Sequence, residues 1–156
     1  MRAVVQRVMR GVARVGETPV GVIGRGVVVL LGVGDGDSPA EADAMADKLA
    51  HLRFFDDSAG KLNRSLLDVG GEVLLVPQFT LYGDTSRGRR PSFARAAPPE
   101  RAAPLCARVA ERLRAHGIRV ATGRFGASML VEIYNDGPVT LVLEVVPRAR
   151  ATPGTH

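Results

Sequence analysis

The sequence is poor in the residues on which many catalytic and extracellular domains depend. Its 156 residues include one cysteine, three histidines, two tyrosines and no tryptophan. Because Cys106 has no partner for an internal disulfide, we expect a reducing, cytoplasmic setting and a core role for this thiol. The histidines lie far apart, without metal-ligand or triad spacing. The sequence therefore predicts no bound metal, no cofactor and no histidine-activated nucleophile.

Aromatic density and long apolar runs are also missing. Five phenylalanines and two tyrosines are too few for a base-stacking RNA platform. No run approaches the roughly 20 apolar residues that a membrane span requires. What is abundant is arginine: the formal charge is +5, and the 21 basic residues include only two lysines. This charge favours a polyanionic partner, although a GC-rich genome would explain the preference for arginine, together with the abundant alanine and glycine, equally well.

The order of hydrophobic patterns predicts one α/β domain over residues 1–146. The run GVVVLLGV at 26–33 is typical of a strand buried on both faces. A helix is predicted to begin after Ser38, with Pro39 at its first position and Glu41 closing a capping box. A second helix is predicted within 100–117, with Gly117 as its C-cap. We expect a sheet with helices on at least one side, followed by a basic, disordered tail over 147–156.

Three further segments have less regular patterns. Residues 61–71 are predicted to be irregular or extended, and residues 85–99 form a long basic loop of the kind that is either functional or disordered. Residues 128–134 and 141–146 are predicted to be two strands. Between them stands NDGPVT at 135–140, which has the composition of a turn.

Two prolines lie where strands are predicted. Proline donates no ladder hydrogen bond, so Pro77 and Pro138 each require a sheet edge, a bulge or a break. After Pro77 the alternating pattern predicts that residues 78–81 resume the strand. The alternative is that the N–H groups of residues 78–80 point into a cleft as an oxyanion hole. For the bond before Pro138, composition alone predicts the ordinary trans isomer.

Five segments, taken in order, resemble the bacterial D-aminoacyl-tRNA deacylase family. They are MRAVVQRV at 1–8, PQFTLYGD at 77–84, GRRPSF at 88–93, FGASM at 125–129 and NDGPVT at 135–140. The resemblance runs from residue 1 to about 146. It implies a compact three-layer α/β fold, with mixed β-sheets in a barrel-like arrangement and two main helices. One departure is clear: Pro77 stands where the family has serine, so no hydroxyl can act at that position.

The same resemblance implies a homodimeric hydrolase. Its substrate would be the ester joining a D-amino acid, or misattached glycine, to the 3′-terminal adenosine of tRNA; it implies no DNA or membrane partner. Rejection of L-amino acids is assigned to the backbone of Gly137 and Pro138, joined by a cis bond and reaching the neighbouring subunit's site. The Phe79 N–H would stabilise the oxyanion, with Gln78 and Thr80 beside it. Because no base is evident near Thr80, we expect attack by water assisted by the tRNA 2′-hydroxyl.

Supporting roles follow for other residues of these motifs. Arg7 would brace the Gly-Pro loop, the other interpretation being an exposed strand arginine. Phe125 and Met129 would line the adenosine pocket, unless they are core residues. Three residues complete the supporting set: Pro77, Asn135 and Thr140. Three arginines would contact acceptor-stem phosphates in a salt-sensitive manner: Arg87, Arg89 and Arg90.

Two other functions stay open at this point. One is a module that binds tRNA ends without cleaving them. The other is a related editing enzyme that does not distinguish D- from L-amino acids.

Overall fold

The computed structural model describes residues 1–148. Its elements follow one another in the order β1 (Arg2–Val15), β2 (Thr18–Ile23), β3 (Gly26–Gly32), α1 (Pro39–His51), β4 (Phe55–Asp56), β5 (Leu62–Arg64), α2 (Leu66–Val69), β6 (Glu72–Pro77), α3 (Pro99–Ala115), β7 (Val120–Thr122) and β8 (Leu130–Glu144). A 3-10 turn, Phe79–Tyr82, follows β6. The α/β class and the two main helices, α1 and α3, agree with the prediction. The predicted tail lies mostly outside the described residues, from 149 onward.

The long strand β1 organises the main sheet. One of its edges pairs first with β3, over residues 2–8, and then with β2, over residues 11–15. Along its other edge runs β8, antiparallel, over nearly the whole length of β1. The sheet continues from β3 through the parallel strands β6 and β7. A strand paired with three others in this way curves the sheet into a barrel-like shape.

Two apolar cores lie on opposite faces of β3 and β6, because successive side chains of a strand alternate between faces. Val27, Val29 and Leu31 face the first core with Met45 and Leu49 of α1 and with Val109 and Leu113 of α3. Val28, Leu74 and Val76 face the second core, which the curled part of the sheet encloses. The prediction that residues 26–33 form a strand buried on both faces is confirmed.

The ends of the main helices show what local sequence signals do and do not fix. Ser38 caps α1, Pro39 is its first residue, and Glu41 and Ser38 form the predicted capping box. At the end of α3, however, His116 is the C-cap and Gly117 is the next residue, with φ 86°. The predicted C-cap was therefore wrong by one position, because glycine serves after the cap, where the backbone turns left-handed.

Three other predictions need correction. Residues 61–71 contain the short strand β5, which agrees with the extended interpretation, but also the capped one-turn helix α2, which was not predicted. The strand does not resume after Pro77, because residues 79–82 wind into the 3-10 turn. Finally, the two strands predicted around NDGPVT are one strand, β8, with an internal bulge. Its halves pair with the same continuous partner, so the chain bulges and does not reverse.

The basic loop at 85–99 is tied down at several points. Asp84 and Ser92 exchange two backbone hydrogen bonds, at 2.8 and 2.9 Å, which close the loop at its base. Further along, the Ala97 N–H donates to the Val33 carbonyl at 2.9 Å, so this part of the segment pairs with the chain just after β3. The residues before α3 therefore lie across the carboxyl end of the parallel strands.

Candidate active site

A cavity of about 600 Å³ opens at the carboxyl ends of β3 and β6. Its walls come from these strand ends, from the segment that precedes α3, from the first turns of α3 and from residues 125–131 before and within β8. Clefts at this end of parallel strands are the usual ligand sites of α/β sheets. The side chains around it include Leu31, Val33, Val76, Pro77, Phe79, Phe93, Pro98, Cys106, Phe125 and Met129. The cavity is therefore suited to a largely apolar group.

Among the described residues, the 3-10 turn leaves two backbone donors free: that of Phe79, which lines the cavity, and that of Thr80, the next residue, which does not. The Gln78 N–H is not one of them, because it donates to the Leu31 carbonyl at 2.7 Å. Phe79 and Thr80 open the turn, where N–H groups have no acceptor within the helix. Within residues 1–148, neither of these two N–H groups has a hydrogen-bond acceptor. The predicted trio of donors is thus reduced to two, Phe79 and Thr80.

No acid or base lines this cavity among the residues described. The Thr80 hydroxyl is exposed and accepts a hydrogen bond from the side-chain amide of Gln78. The one titratable lining residue, Cys106, is buried, and burial raises its pKa to about 11. Neither the neutral thiol in the cavity wall nor the nearby Thr80 hydroxyl, which is held by the Gln78 amide, is an activated nucleophile.

Pro77 ends β6 at a point where proline removes no hydrogen bond. Leu75 accepts from the Gly123 N–H and pairs with Thr122, the last residue of β7. Pro77 faces the same side, two residues beyond the last pair of β6 with β7, Leu75 with Thr122. The sheet-edge position required of a strand proline is therefore met, and the pyrrolidine ring becomes part of the cavity wall.

The Gly137–Pro138 step lies in the bulge of β8, away from this cavity. Asn135 pairs with Val8 and Thr140 with Gln6, so four residues of β8 stand opposite Arg7 alone. The Gly137–Pro138 peptide bond is cis, Gly137 has φ 130°, and both residues are exposed. Neither lines the cavity of its own chain.

The Arg7 guanidinium fills the space under this bulge. Its side chain is only 8% exposed, so the alternative of an exposed strand arginine is wrong. Nε donates to the Asp136 carbonyl at 3.0 Å and Nη1 to the Phe54 carbonyl at 3.4 Å. The Asp56 and Asp136 carboxylates lie 3.4 Å from the guanidinium. Arg7 thus joins the bulge to the start of β4.

Comparison with known proteins identifies the family of this chain. The family model described as D-Tyr-tRNA(Tyr) deacylase matches residues 4–144. The chain belongs to this family. A D-aminoacyl-tRNA deacylase of Roseiflexus sp. (strain RS-1) is 60% identical over 144 residues, which cover 92% of this chain and 93% of the relative. One of Heliobacterium modesticaldum is 59% identical over 144 residues, with 92% and 96% covered.

Two solved structures share the fold of this deacylase family member. One is a c-Myc DNA Unwinding Element Binding Protein, 42% identical with a TM-score of 0.88, covering 94% of this chain and 100% of that one. The other, a probable eukaryotic D-amino acid tRNA deacylase, has a TM-score of 0.79 at 23% identity, with 92% and 98% covered. The second likeness concerns the fold alone.

The deacylase motifs thus fall into two places in a single chain. The cavity unites Pro77, Gln78, Phe79, Phe125 and Met129, whereas the bulge holds Arg7, Asn135, Gly137, Pro138 and Thr140. The exposed arginines 87, 89 and 90 lie on the loop closed by Asp84 and Ser92.

Sequence reasoning missed one wall of the cavity, formed by Phe93 and residues 96–99. The only sequence signal for this wall is the PSF at residues 91–93, within the segment GRRPSF. Over the described range, no helix is long and apolar enough to cross a membrane. In that same range, no three His, Cys, Asp or Glu residues form a group able to hold a metal ion.

Proposed function

We propose that this chain is a D-aminoacyl-tRNA deacylase, which hydrolyses the ester of D-aminoacyl-tRNA, and of mischarged glycyl-tRNA, in the cytoplasm. The observation that carries the proposal is the pair of unpartnered N–H groups of Phe79 and Thr80 beside an apolar cavity. Residues 1–146 would act as one domain. The terminal adenosine would occupy the cavity against Phe125 and Met129, which brings the ester carbonyl towards the 3-10 turn.

In this mechanism the enzyme stabilises charge and supplies no base. As water attacks the ester carbonyl, the oxygen that becomes negative accepts hydrogen bonds from the Phe79 and Thr80 N–H groups. Donors of this kind are worth about 10²–10³ in kcat. The neighbouring 2′-hydroxyl of the substrate would assist the proton transfers. The lack of any carboxylate, histidine or lysine among the described cavity residues supports this substrate-assisted route.

Selection against L-amino acids would come from a second copy of the chain. Gly137 and Pro138 are exposed and do not line the cavity of their own chain, which supports a role at the cavity of a partner. There the rigid backbone would occupy the space of an L side chain, while a D side chain points outward and glycine meets no obstacle. Discrimination by an obstacle of this kind accepts many different side chains.

A homodimer is supported by the outer surface of β8. This strand pairs with β1 alone among the described strands, so its other edge is free. It also exposes large apolar side chains: Leu130 is 63% exposed, Tyr134 53% and Val142 74%. Long free edges and apolar strand faces are normally covered by a partner.

Contacts to tRNA phosphates are assigned to Arg87, Arg89 and Arg90. These exposed guanidinium groups lie on a loop whose base adjoins the cavity wall at Phe93. Binding through them would weaken as salt concentration rises, because each phosphate contact releases condensed counterions.

The function is tested with D-Tyr-tRNA and L-Tyr-tRNA as substrates. The expected result is faster loss of the D-ester, with the L-ester decaying at its spontaneous rate. Binding without faster loss would instead support the module that holds tRNA ends. Equal acceleration of both esters would support an editing enzyme without chiral selection.

The oxyanion role is tested with Phe79→Pro, which removes only the N–H of residue 79 from the pair of donors. Proline suits the first residue of a helical turn, so the fold should persist. We expect kcat to fall about 10²–10³-fold. Phe79→Ala is the matched control, because it removes the ring and keeps the N–H, and it should lose far less.

The action of the bulge on a partner is tested by mixing subunits. A heterodimer would pair a Phe79→Pro chain with a Gly137→Ala chain, whose added Cβ would come within 2.8 Å of Val139 Cγ2. If the bulge acts at the partner's cavity, the cavity of the Gly137→Ala chain keeps its Phe79 N–H and receives the intact bulge of the Phe79→Pro chain. That one site stays D-selective. If it acts on its own chain, no D-selective site remains.

A further inference from the structure

Phe93 contacts the 3-10 turn at both of its ends. Its ring meets that of Phe79 edge to face, with centroids 5.1 Å apart and planes at 72°. Phe93 Cε1 also lies 3.1 Å from the position that a Cβ on Gly83 would occupy. Gly83 is the residue that caps the turn. The Phe93 ring therefore covers the turn from its first residue to its cap.

The backbone at the start of the turn is fixed by the Gln78 N–H bond to Leu31, but the side chains at its two ends differ in exposure. Tyr82, its last residue, is buried, and the guanidinium of Arg2 lies 4.7 Å from the centre of its ring. Phe79, its first residue, is 58% exposed. A single 3-10 turn has few hydrogen bonds of its own. Beyond the Gln78 N–H bond to Leu31, the direction of the Phe79 N–H therefore depends on what holds the Phe79 side chain.

Phe93 is itself fixed by its own segment. Ser92 is held by the two hydrogen bonds to Asp84, and the Ala96 N–H donates to the Phe93 carbonyl at 3.0 Å. Arg95 accepts from the Asp35 N–H at 2.9 Å. Phe93 is thus the first residue after the closure of the basic loop, in a stretch tied to the chain that follows β3.

We propose that Phe93 is a positioning residue, which holds the Phe79 ring and so aims the oxyanion donors, and which joins this turn to the base of the basic loop. This inference rests on the proposed function. Phe93 acts through Phe79, so its effect falls on the chemical step. Binding energy from phosphate contacts on the loop can then help to position the oxyanion donors. Remote binding energy used in this way lowers the barrier of the chemical step and raises kcat.

The test compares Phe93→Leu with Phe93→Tyr, which keeps the ring. Aromatic pairs of this geometry are modestly stabilising, so the single-turnover rate of Phe93→Leu on D-Tyr-tRNA should fall about three- to tenfold with KM unchanged. Phe93→Tyr should restore most of the rate. A raised KM with an unchanged rate would show that Phe93 only contacts substrate, and unchanged values of both would also overturn the proposal.

An independent readout needs no substrate. The backbone amide signals of Phe79 and Thr80 in a ¹⁵N–¹H spectrum should move in Phe93→Leu and stay near their wild-type positions in Phe93→Tyr. Unmoved signals in Phe93→Leu would refute the positioning role, even if wild-type protein hydrolyses D-Tyr-tRNA. Conversely, a wild-type protein without activity would refute the proposed function while leaving the spectral prediction standing.

Gly83→Ala provides a second variant if Phe93→Leu does not fold. With φ −62°, Gly83 has a backbone that alanine adopts without strain, yet the new Cβ would crowd Phe93 Cε1 and the Thr80 carbonyl, both at 3.1 Å. We expect the same pattern as in Phe93→Leu, a lower single-turnover rate at constant KM. A rate equal to that of wild type would contradict the proposal.

Discussion

Replacement of Arg7 by methionine gives the sharpest test of the bulge. Methionine keeps much of the buried volume and removes the guanidinium. The 3.0 Å bond to the Asp136 carbonyl is a charge-assisted bond worth about 1.5–3 kcal/mol, and the 3.4 Å bond to the Phe54 carbonyl is worth less. The Asp56 and Asp136 side chains are 51% and 40% exposed, so water can replace their contacts with Arg7 at little cost.

The expected loss of unfolding free energy is therefore about 2–4 kcal/mol. For a chain of this size that corresponds to a fall in Tm of about 5–15 °C. Thermal unfolding followed by circular dichroism measures it directly. The D-over-L ratio of kcat/KM should also fall about tenfold or more. A change of about 1.4 kcal/mol in the difference between the D and L activation free energies is enough for a tenfold fall.

Arg14→Met is the matched control. Arg14 also joins β1 to β8, through a 3.0 Å contact between its Nε and Glu132 Oε1, but both side chains are partly exposed. We expect a loss below about 1 kcal/mol and an unchanged D-over-L ratio. If Arg7→Met lost stability and kept its selectivity, Arg7 would not brace the filter. If it lost neither, the energetic reasoning would be wrong.

Three other outcomes are expected. Thr80→Ala should keep substantial activity, and substrate ending in 2′-deoxyadenosine should be cleaved poorly; near-complete loss in a folded Thr80→Ala would indicate a nucleophile. Cys106 should react with iodoacetamide at pH 8 about 100-fold more slowly than an ordinary thiol, because burial raises its pKa from 9.0 to about 11; mass spectrometry that finds ordinary rates would contradict this. Hydrogen bonds from Arg108 lower the pKa of Asp43, so their stabilisation is present above the unfolded pKa and lost as pH falls through the folded one. Asp43→Asn should thus lower the urea midpoint at pH 7, and this difference should begin to shrink as pH falls below about 4 and vanish only below the lowered folded pKa; equal midpoints at pH 7 would refute it.

Local signals in the sequence were sufficient where local forces decide the structure. Ser38 and Glu41 cap α1 because their side chains reach backbone groups three residues away. Residues 26–33 form an apolar run that is short for a helix. Because the run has no polar residue on either face, both faces of the strand are buried. In both cases the partners that fix the structure lie within the segment or follow from its composition.

Long-range contacts decide the parts that were predicted wrongly. Residues 78–81 alternate like a strand, yet the chain turns because the Gln78 N–H bonds to Leu31 and the Phe79 ring rests on Phe93. NDGPVT has the composition of a turn, yet the chain continues because β1 pairs with residues on both sides of the bulge. The sequence of each segment gives no indication of these partners, which are distant along the chain.

The proposed use of backbone atoms would make the loss of a hydroxyl at Pro77, where the resemblance implies serine, of little consequence for the chemistry. Both proposed tasks, stabilising the oxyanion and excluding L side chains, fall to main-chain groups at positions 79, 80, 137 and 138. A side-chain change at Pro77 alters the wall of the cavity but removes none of these main-chain groups. The N–H that proline lacks would point past the end of β7, where no strand among the described residues pairs with it. Side-chain substitutions in the cavity that leave the 3-10 turn in place should therefore act mainly on binding. Removal of a single N–H, as in Phe79→Pro, or of the ring that aims it, as in Phe93→Leu, should act on the chemical step.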